Sequence, residues 1–361
     1  MNNDLYHLAF SHFLPIGPIR FKRLIDFFGG ARKAYEADKN RLSTIIGEHT
    51  AENFILFRQT FDPIKKQDEL KRKRITVLNQ NDKKYPPQLK HISDPPICLY
   101  IKGDVEGFNF EKNIFFGIVG TRKPTSYGVQ IAKKISSELA TLDVIIVSGM
   151  AMGIDAVVHR AALDSGGRTI AILGCGVDMA YPSCNRQLYA DIIQHNGLVI
   201  SEVPPGQSVV TGMFVLRNRL ISGLSKGILV IEGMKDSGTL ITARFAAEQG
   251  KDVFAIPSPI TSPLSEAPNI LLKQGAKLVT NVQDIIEELG LEIKTKTQRV
   301  DNLNEVEEKI IEMLEKEPKS ADELERQLGI SIGELLQTLS ILEIKKLVEK
   351  NSEGKYQITL G

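Results

Sequence analysis

Residues 148–159 read SGMAMGIDAVVH. They follow the apolar run Val144-Ile145-Ile146-Val147, and there the side chains shrink to glycine, serine and alanine before Asp155 and His159. At the end of an apolar run this pattern has three explanations: a tight turn, close packing of backbones, or a bound anion. Glycine serves all three because it has no Cβ. The surrounding sequence has to choose among them.

Working outward, similar units recur. Apolar runs stand at IFFGIV (114–119), VIIVS (144–148), RTIAIL (168–173), LVIS (198–201), GILVIE (227–232) and DVFAI (252–256). Helical patterns separate them at 127–141, 153–164, 184–195, 213–222 and 239–250. Strands that are apolar throughout and alternate with helices predict an α/β fold, a doubly wound parallel sheet covered on both faces. Ligands of such sheets sit beyond the carboxyl ends of the strands, and SGMAMGID lies at one of those ends. So do GTRKPTSYG (120–128), GCGVDMAYPSCN (174–185), SEVPPG (201–206) and GMKDSGTLITA (233–243).

The flanks differ. Residues 1–65 read as a helical module, with Phe21, Leu24, Ile25 and Phe28 at helical spacing ahead of Gly29-Gly30 and further amphipathic helix from Asp38 to Phe57. The turn Leu14-Pro15-Ile16-Gly17-Pro18 fits either a helix-hairpin-helix element or a small bundle packed on its neighbour. The domain at 66–290 opens with two strand-like runs, at 75–78 and 97–101, beside proline-rich segments that cannot be helix interior. Residues 291–304, with the polar stretch KTKTQRVDNLN, read as a linker. Residues 305–361 give three helical patterns and a hairpin around Asn351-Ser352-Glu353-Gly354, a winged-helix arrangement. Ser320-x-x-Glu323 and Ser331-x-x-Glu334 are capping-box patterns.

The chain has 361 residues, 42% hydrophobic and 25% charged, a composition that suits more than one globular domain. No apolar stretch approaches the roughly 18 residues of a membrane span, and the N-terminus does not resemble a signal peptide. Three cysteines without ligand spacing read as reduced thiols, so a cytoplasmic protein is expected. The net charge of +1 hides an asymmetry: residues 301–361 carry 14 Asp/Glu and 8 Lys/Arg, a net −6, against +7 for the rest. The body suits an anionic partner and the acidic tail does not.

Glycine-rich loops opening helices make anion sites, because amide N–H groups converge where the helix dipole is positive. Cations share these loops: Arg122 and Lys123, Arg217 and Arg219, with Arg160 further along the second helix. Arg217-Asn218-Arg219 also fits a buried ion pair with Glu202 or Glu232. Nucleotide signatures fail. There is no G-x-x-x-x-G-K-[ST], and the loop begun by Gly174-Cys175-Gly176 has Met179 in its sixth position. His159 stands alone, Asp155, Asp178, Glu202 and Glu232 form no evident acid–base pair, and Cys175 has no activating histidine. No cofactor and no metal site is expected. A binding face without catalytic groups points to a polyanion that is held and not turned over. Single-stranded nucleic acid fits, with stacking sparse at 6% aromatics and no Trp and phosphate contacts dominant.

The ordered series VGTRKPTSYG, SGMAMGIDAVVHRAAL, TIAILGCGVDMAYPSCN, SEVPPG, RNRLISGLS and SGTLITARFAAEQGKDVFAIP, with YPPQL and DPPICLYIKG upstream, resembles the DNA-processing protein A family (DprA, or Smf). The resemblance covers about 84–280. It implies an extended Rossmann-like sheet domain between a helix-hairpin-helix or SAM-like module and a winged helix. It also implies single-stranded DNA binding and protection, loading of the RecA recombinase during natural transformation, and homodimerisation. Carried over by position, the DNA face comprises Gly120, Thr121, Arg122, Lys123, Ser148, Gly149, Gly153, His159, Arg160, Asn185, Arg217, Asn218, Arg219, Ser237, Gly238 and Thr239. One departure stands out: Ile256-Pro257-Ser258-Pro259 replaces the family's AIPG, and no role is carried onto it. In the winged helix, Glu334 and Glu343 beside Lys345 and Lys346 make a poor groove reader, so protein contact or a regulatory lid is expected there. The enzyme alternative is a nucleotide phosphoribohydrolase of the lysine decarboxylase-like group. It would need a Glu where Thr242 stands, and glycines where Lys235 and Asp236 stand.

Overall fold

Residues 3–207, 211–291, 304–314, 317–345, 347–351 and 354–358 are described by the computed structural model. The expected linker lies outside them except for its two ends, as do Lys346 and the Ser352-Glu353 pair of the terminal turn. The chain divides into two compact units, Met1–Ile293 and Lys294–Gly361.

The first unit begins with α1 (Asn3–His12), α2 (Pro18–Phe28), α3 (Ala31–Glu36), α4 (Lys39–Ile46), α5 (Glu48–Thr60) and α6 (Pro63–Arg72). Phe21, Leu24 and Phe28 form the buried side of α2, and Gly29 ends it at φ 74° with its amide on Ile25 O. Asp62 starts α6 by accepting from the amides of Ile64 and Lys65. The helical pattern from Asp38 to Phe57 is broken at Gly47, whose φ of 83° no helix interior adopts. An aromatic core closes these helices, with Phe10 stacked on Phe54 at 4.9 Å. The same core takes in Cys98, Tyr100, Ala171 and Val199 of the sheet. The helices are therefore a bundle packed on the sheet, and the expected boundary at residue 65 falls inside α6.

There follow β1 (Thr76–Asn79), α7 (Pro87–Lys90), β2 (Cys98–Lys102), β3 (Ile114–Val119), α8 (Ser126–Thr141), β4 (Val144–Ser148), α9 (Ile154–Asp164), β5 (Thr169–Ile172), α10 (Arg186–Gln194), β6 (Leu198–Ser201) and α11 (Thr211–Leu224). The unit ends with β7 (Gly227–Val230), α12 (Gly238–Glu248), β8 (Asp252–Ala255), α13 (Glu266–Lys273), β9 (Lys277–Leu278) and α14 (Val282–Glu288). The strands form a nine-stranded sheet in the order β1-β2-β6-β5-β4-β3-β7-β8-β9. Strands β3 to β9 are parallel, and β2 and β1 extend the β6 edge in antiparallel fashion.

Burial on both faces explains the apolar runs. Ile145 and Val147 of β4 enter the core under α11 and α12, while Val144 and Ile146 enter the core under α8 and α9. After β6 the chain returns to place β7 on the free side of β3. The winding therefore reverses between β3 and β7, and the loops after β3, β4, β5, β6 and β7 share one rim. Among the described residues no helix is long and apolar enough to cross a membrane.

The second unit comprises α15 (Glu305–Leu314), α16 (Ala321–Leu328), α17 (Ile332–Ile344) and the antiparallel pair β10 (Val348–Lys350) and β11 (Tyr356–Ile358). Ile310, Leu324, Leu335, Leu339, Leu342 and Tyr356 share its core. The full capping box forms at Ser320. At Ser331 only the bond from Glu334 N to the hydroxyl forms.

Candidate nucleic-acid interface

The glycines of the opening stretch pack backbone against backbone. Gly153 has φ 78°, and a Cβ there would meet Thr121 O at 2.4 Å. The amide of Ile154 donates to that same oxygen at 3.1 Å. A Cβ on Gly120 would strike Ile154 at 2.4 Å. The loops after β3 and β4 thus lie against each other at a spacing only glycine permits.

An anion is also present, and it belongs to the chain. Asp155, 6% exposed, turns back so that Oδ2 accepts from the amides of Gly149 (3.1 Å) and Ala151 (3.3 Å). Burial pushes its carboxyl above the usual range, and the Arg217 guanidinium pulls the other way. At the neighbouring helix start, Glu232 accepts from the Thr125 amide at 2.9 Å and from the Thr125 hydroxyl. Glu232 thus occupies the place the α8 N-terminus offers to a phosphate, and Asp155 takes up the amides of the loop after β4.

The arginine pair needs correction. Arg219 is 3% exposed, with Nε 2.7 Å from Asp94 and Nη2 2.7 Å from Glu202. Two carboxylates outweigh its single positive charge, so it is a structural ion pair and not a phosphate contact. Arg217 is 6% exposed. It donates to Gly149 O at 2.6 Å and to Ile172 O, so it fastens the ends of β4 and β5 together. Burial pushes its guanidinium down to about 10, opposed by Asp155. Asn218 accepts from Arg217 Nε at 3.1 Å and reaches Gly238 O.

His159 is also corrected, being wholly buried. The Thr169 hydroxyl gives its hydrogen to Ile146 O (2.7 Å) and lies 2.6 Å from His159 Nδ1, so Nδ1 carries the imidazole hydrogen and donates. Burial, and then Arg217, holds the ring pKa down to about 3. His12, between Tyr100 and Phe61, is held down to about 4, chiefly by burial. Both rings must stay neutral in the fold and gain protons when it opens. Unfolding free energy should therefore be full above pH 6.5 and fall by about 1.4 kcal/mol per unit for each ring as pH drops from 6.5 towards 5. Urea titrations across that window check this, and His159→Gln should remove one ring's share of the slope.

Ser148 is buried with its hydroxyl on Ile118 O at 2.7 Å, Gly149 is buried, and Thr239 is buried beside Ser237. These three support the rim from beneath and do not face solvent. Asn185 is half-buried and holds the loop after β4 by donating to Met150 O (2.8 Å) and Ala151 O (3.2 Å). Arg160 is half-exposed but engaged by Asp191. Of the cations expected there, Arg122 and Lys123 remain open, both exposed and without an ion pair among the described residues, and Lys235 in the loop after β7 is exposed likewise. Beside them stand half-buried Gly120, Thr121, Gly153 and Ser237, and exposed Gly238.

One aromatic feature of the rim does not show in composition. Tyr181, 42% exposed, lies in the loop after β5 with its ring 5.1 Å from that of Phe214 in the first turn of α11. Gly174 permits this, since a Cβ there would meet Phe214 at 2.8 Å. Val215 and Leu216 beside it are 41% and 49% exposed. The rim thus presents paired rings and apolar surface, which suit stacked bases. The sequence signal was the run Phe214-Val215-Leu216, which reads as helix core until the helix is placed with its start at a rim. Among the described residues no activating histidine stands beside the thiols of the loop after β5, where Cys184 is exposed with its thiol toward Asn185 Oδ1 at 3.8 Å. Cys175 is buried, and burial pushes its thiol up to about 11. Among the described residues no cluster of His, Cys, Asp or Glu could hold a metal ion.

Known proteins match this chain over both units. The family described as DNA recombination-mediator protein A matches residues 76–290, and the DprA winged helix domain matches 294–354. Protein Smf of Synechocystis is 33% identical over 395 residues, covering 99% of each chain. DNA processing protein DprA of Bacillus subtilis is 42% identical over 215 residues, covering 60% of this chain and 71% of that protein. The solved DNA processing protein A of Streptococcus pneumoniae superposes with a TM-score of 0.67 at 32% identity, covering 80% of this chain and 98% of that one. That of Helicobacter pylori, solved to show its single-stranded DNA binding mode, gives 0.54 at 31% identity, covering 60% and 95%.

Proposed function

Because the chain belongs to the DNA recombination-mediator protein A family, we propose that it holds single-stranded DNA along the carboxyl rim of its sheet and protects it there. It then delivers the strand to the RecA recombinase during natural transformation, acting in the cytoplasm as a homodimer. The observation that carries this reading is the unpaired Arg122-Lys123 step on loops closed by Gly120 and Gly153, on the same sheet rim as the Tyr181–Phe214 rings. Cations supply affinity without sequence preference and the rings accept any base. Arg217, Asp155 and His159 act as positioning residues that hold the loops at their spacing. The binding mode described for the Helicobacter pylori relative supports the choice of a single strand.

The chain is a member of a DNA-processing family and not an enzyme. Thr242, where the phosphoribohydrolase alternative needs a carboxylate, is buried with its hydroxyl turned onto Gly238 O at 3.2 Å.

The direct test of the function is titration of single and double strands at two salt concentrations. Single strands should bind more tightly, with affinity falling as salt rises; salt-independent or absent binding contradicts the reading. The winged helix has a separate role, contact with protein or a lid over the basic face. Its α17 carries Glu334 and Glu343, and its Lys345 is spent on Glu307 at 2.7 Å. Deleting 301–361 should therefore leave single-strand affinity equal or higher. A large loss in the same titration would make the winged helix part of the DNA site.

A further inference from the structure

One strongly charged surface remains outside the rim. Between residues 63 and 74 the chain carries six cations and two carboxylates, ending in the unbroken run Lys71-Arg72-Lys73-Arg74. All four are exposed. Cations at a helix C-terminus complement its dipole, which accounts for Lys71 and Arg72 at the end of α6. Arg74 lies past that end, at φ 54°. A left-handed residue there costs about 1 kcal/mol or more unless it is glycine, so an arginine is held where the backbone favours none. Lys66 is neutralised by Glu69 at 2.6 Å. Lys71, Arg72 and Arg74 make no ion pair among the described residues.

The position of the run gives it a function. Lys73 Nζ lies 3.6 Å from Asp178 in the loop after β5. Asp178 in turn accepts from the amide of Gly206 in the loop after β6, at 3.2 Å. The basic knuckle therefore abuts the two rim loops on the side away from Arg122 and Lys123. Strands β6, β5, β4, β3 and β7 are successive neighbours in the sheet, so the rim itself spans about 19 Å, too short for a long strand to be held there alone.

We propose that Lys71, Arg72 and Arg74 form a second phosphate-binding subsite, which receives single-stranded DNA leaving the rim past the loops after β5 and β6. This rests on the rim reading for its direction but not for its charge. The helical bundle is thereby part of the DNA track, and the protein grips long strands better than short ones.

The test uses the full chain with Lys71→Gln, Arg72→Gln and Arg74→Asn together, asparagine being tolerated at positive φ. Lys73 is kept for its contact with Asp178. Homopolymeric dT oligonucleotides of roughly 6 and roughly 20 nucleotides span the range of a single binding groove and beyond. The short one should bind the variant as it binds the parent. The long one should bind roughly tenfold more weakly, with its salt slope reduced by roughly 2, at about 0.7 per phosphate for single strands. A charge-preserving variant, Lys71→Arg with Arg72→Lys, should bind both like the parent, and equal thermal unfolding excludes misfolding. Unchanged affinity for the long oligonucleotide overturns the subsite. If Arg122→Ala with Lys123→Ala leaves both lengths unaffected while the knuckle variant loses the long one, the subsite stands and the rim reading fails.

Discussion

Replacing Arg122 and Lys123 together by alanine should weaken single-stranded DNA binding by roughly 10- to 100-fold at low salt and lower the salt slope by about 1.4, two contacts at about 0.7 each. The reason is that these are exposed cations of the rim with no ion pair among the described residues. Glu232 already fills the start of α8 and Asp155 takes the amides of the loop after β4, so amides there cannot substitute for the lost charge. Stability should stay within about 0.5 kcal/mol, as for surface changes that touch no packed feature. Fluorescence anisotropy at several salt concentrations, paired with urea unfolding, measures both. Equal affinity in the variant would place the DNA elsewhere.

Arg219→Leu should produce the opposite signature. It removes the guanidinium that holds Asp94 and Glu202, each 2.7 Å away, and leaves Glu202 poorly solvated and unpaired and Asp94 with only the Ser93 hydroxyl. Burial alone already raises the pKa of Glu202, with Arg219 the chief opposing influence. Breaking such a pair typically costs about 3–5 kcal/mol, so the urea midpoint should move sharply. Arg219→Lys should recover part of this, because one ammonium keeps the charge but cannot present two N–H edges to two carboxylates. Had Arg219 been a phosphate contact, its loss would lower DNA affinity and leave stability nearly intact. That outcome would refute its assignment as a structural pair.

The contrast between these two variants marks what the sequence could carry. The sheet was legible because every strand from β3 to β8 is buried on both faces, so apolar runs appear without alternation. The loops were legible because Gly120 and Gly153 answer a steric demand made by their neighbours. Solvent exposure was not legible. Arg217 and Arg219 sit in an apolar helix with their charges matched by Asp155, Asp94 and Glu202, residues distant in sequence that only the fold brings close. Asp155 and Glu232 were visible as acids near strand ends. That they occupy the anion sites themselves depended on backbone amides no pattern displays. The break at Gly47 between α4 and α5 was hidden because apolar spacing resumes on the far side. The pair of exposed Tyr181 and half-buried Phe214 was obscured by an average: few aromatics in the whole chain does not mean few at one rim.

Photocrosslinking of a thymidine oligonucleotide to the full chain, with the attached peptides read by mass spectrometry, locates the strand on the protein. The account predicts attachment within 120–125, 179–182 and 214–216, the cationic loop and the two aromatic segments that share the rim. Attachment confined to 305–358, or to strand ends on the opposite edge of the sheet, would contradict it.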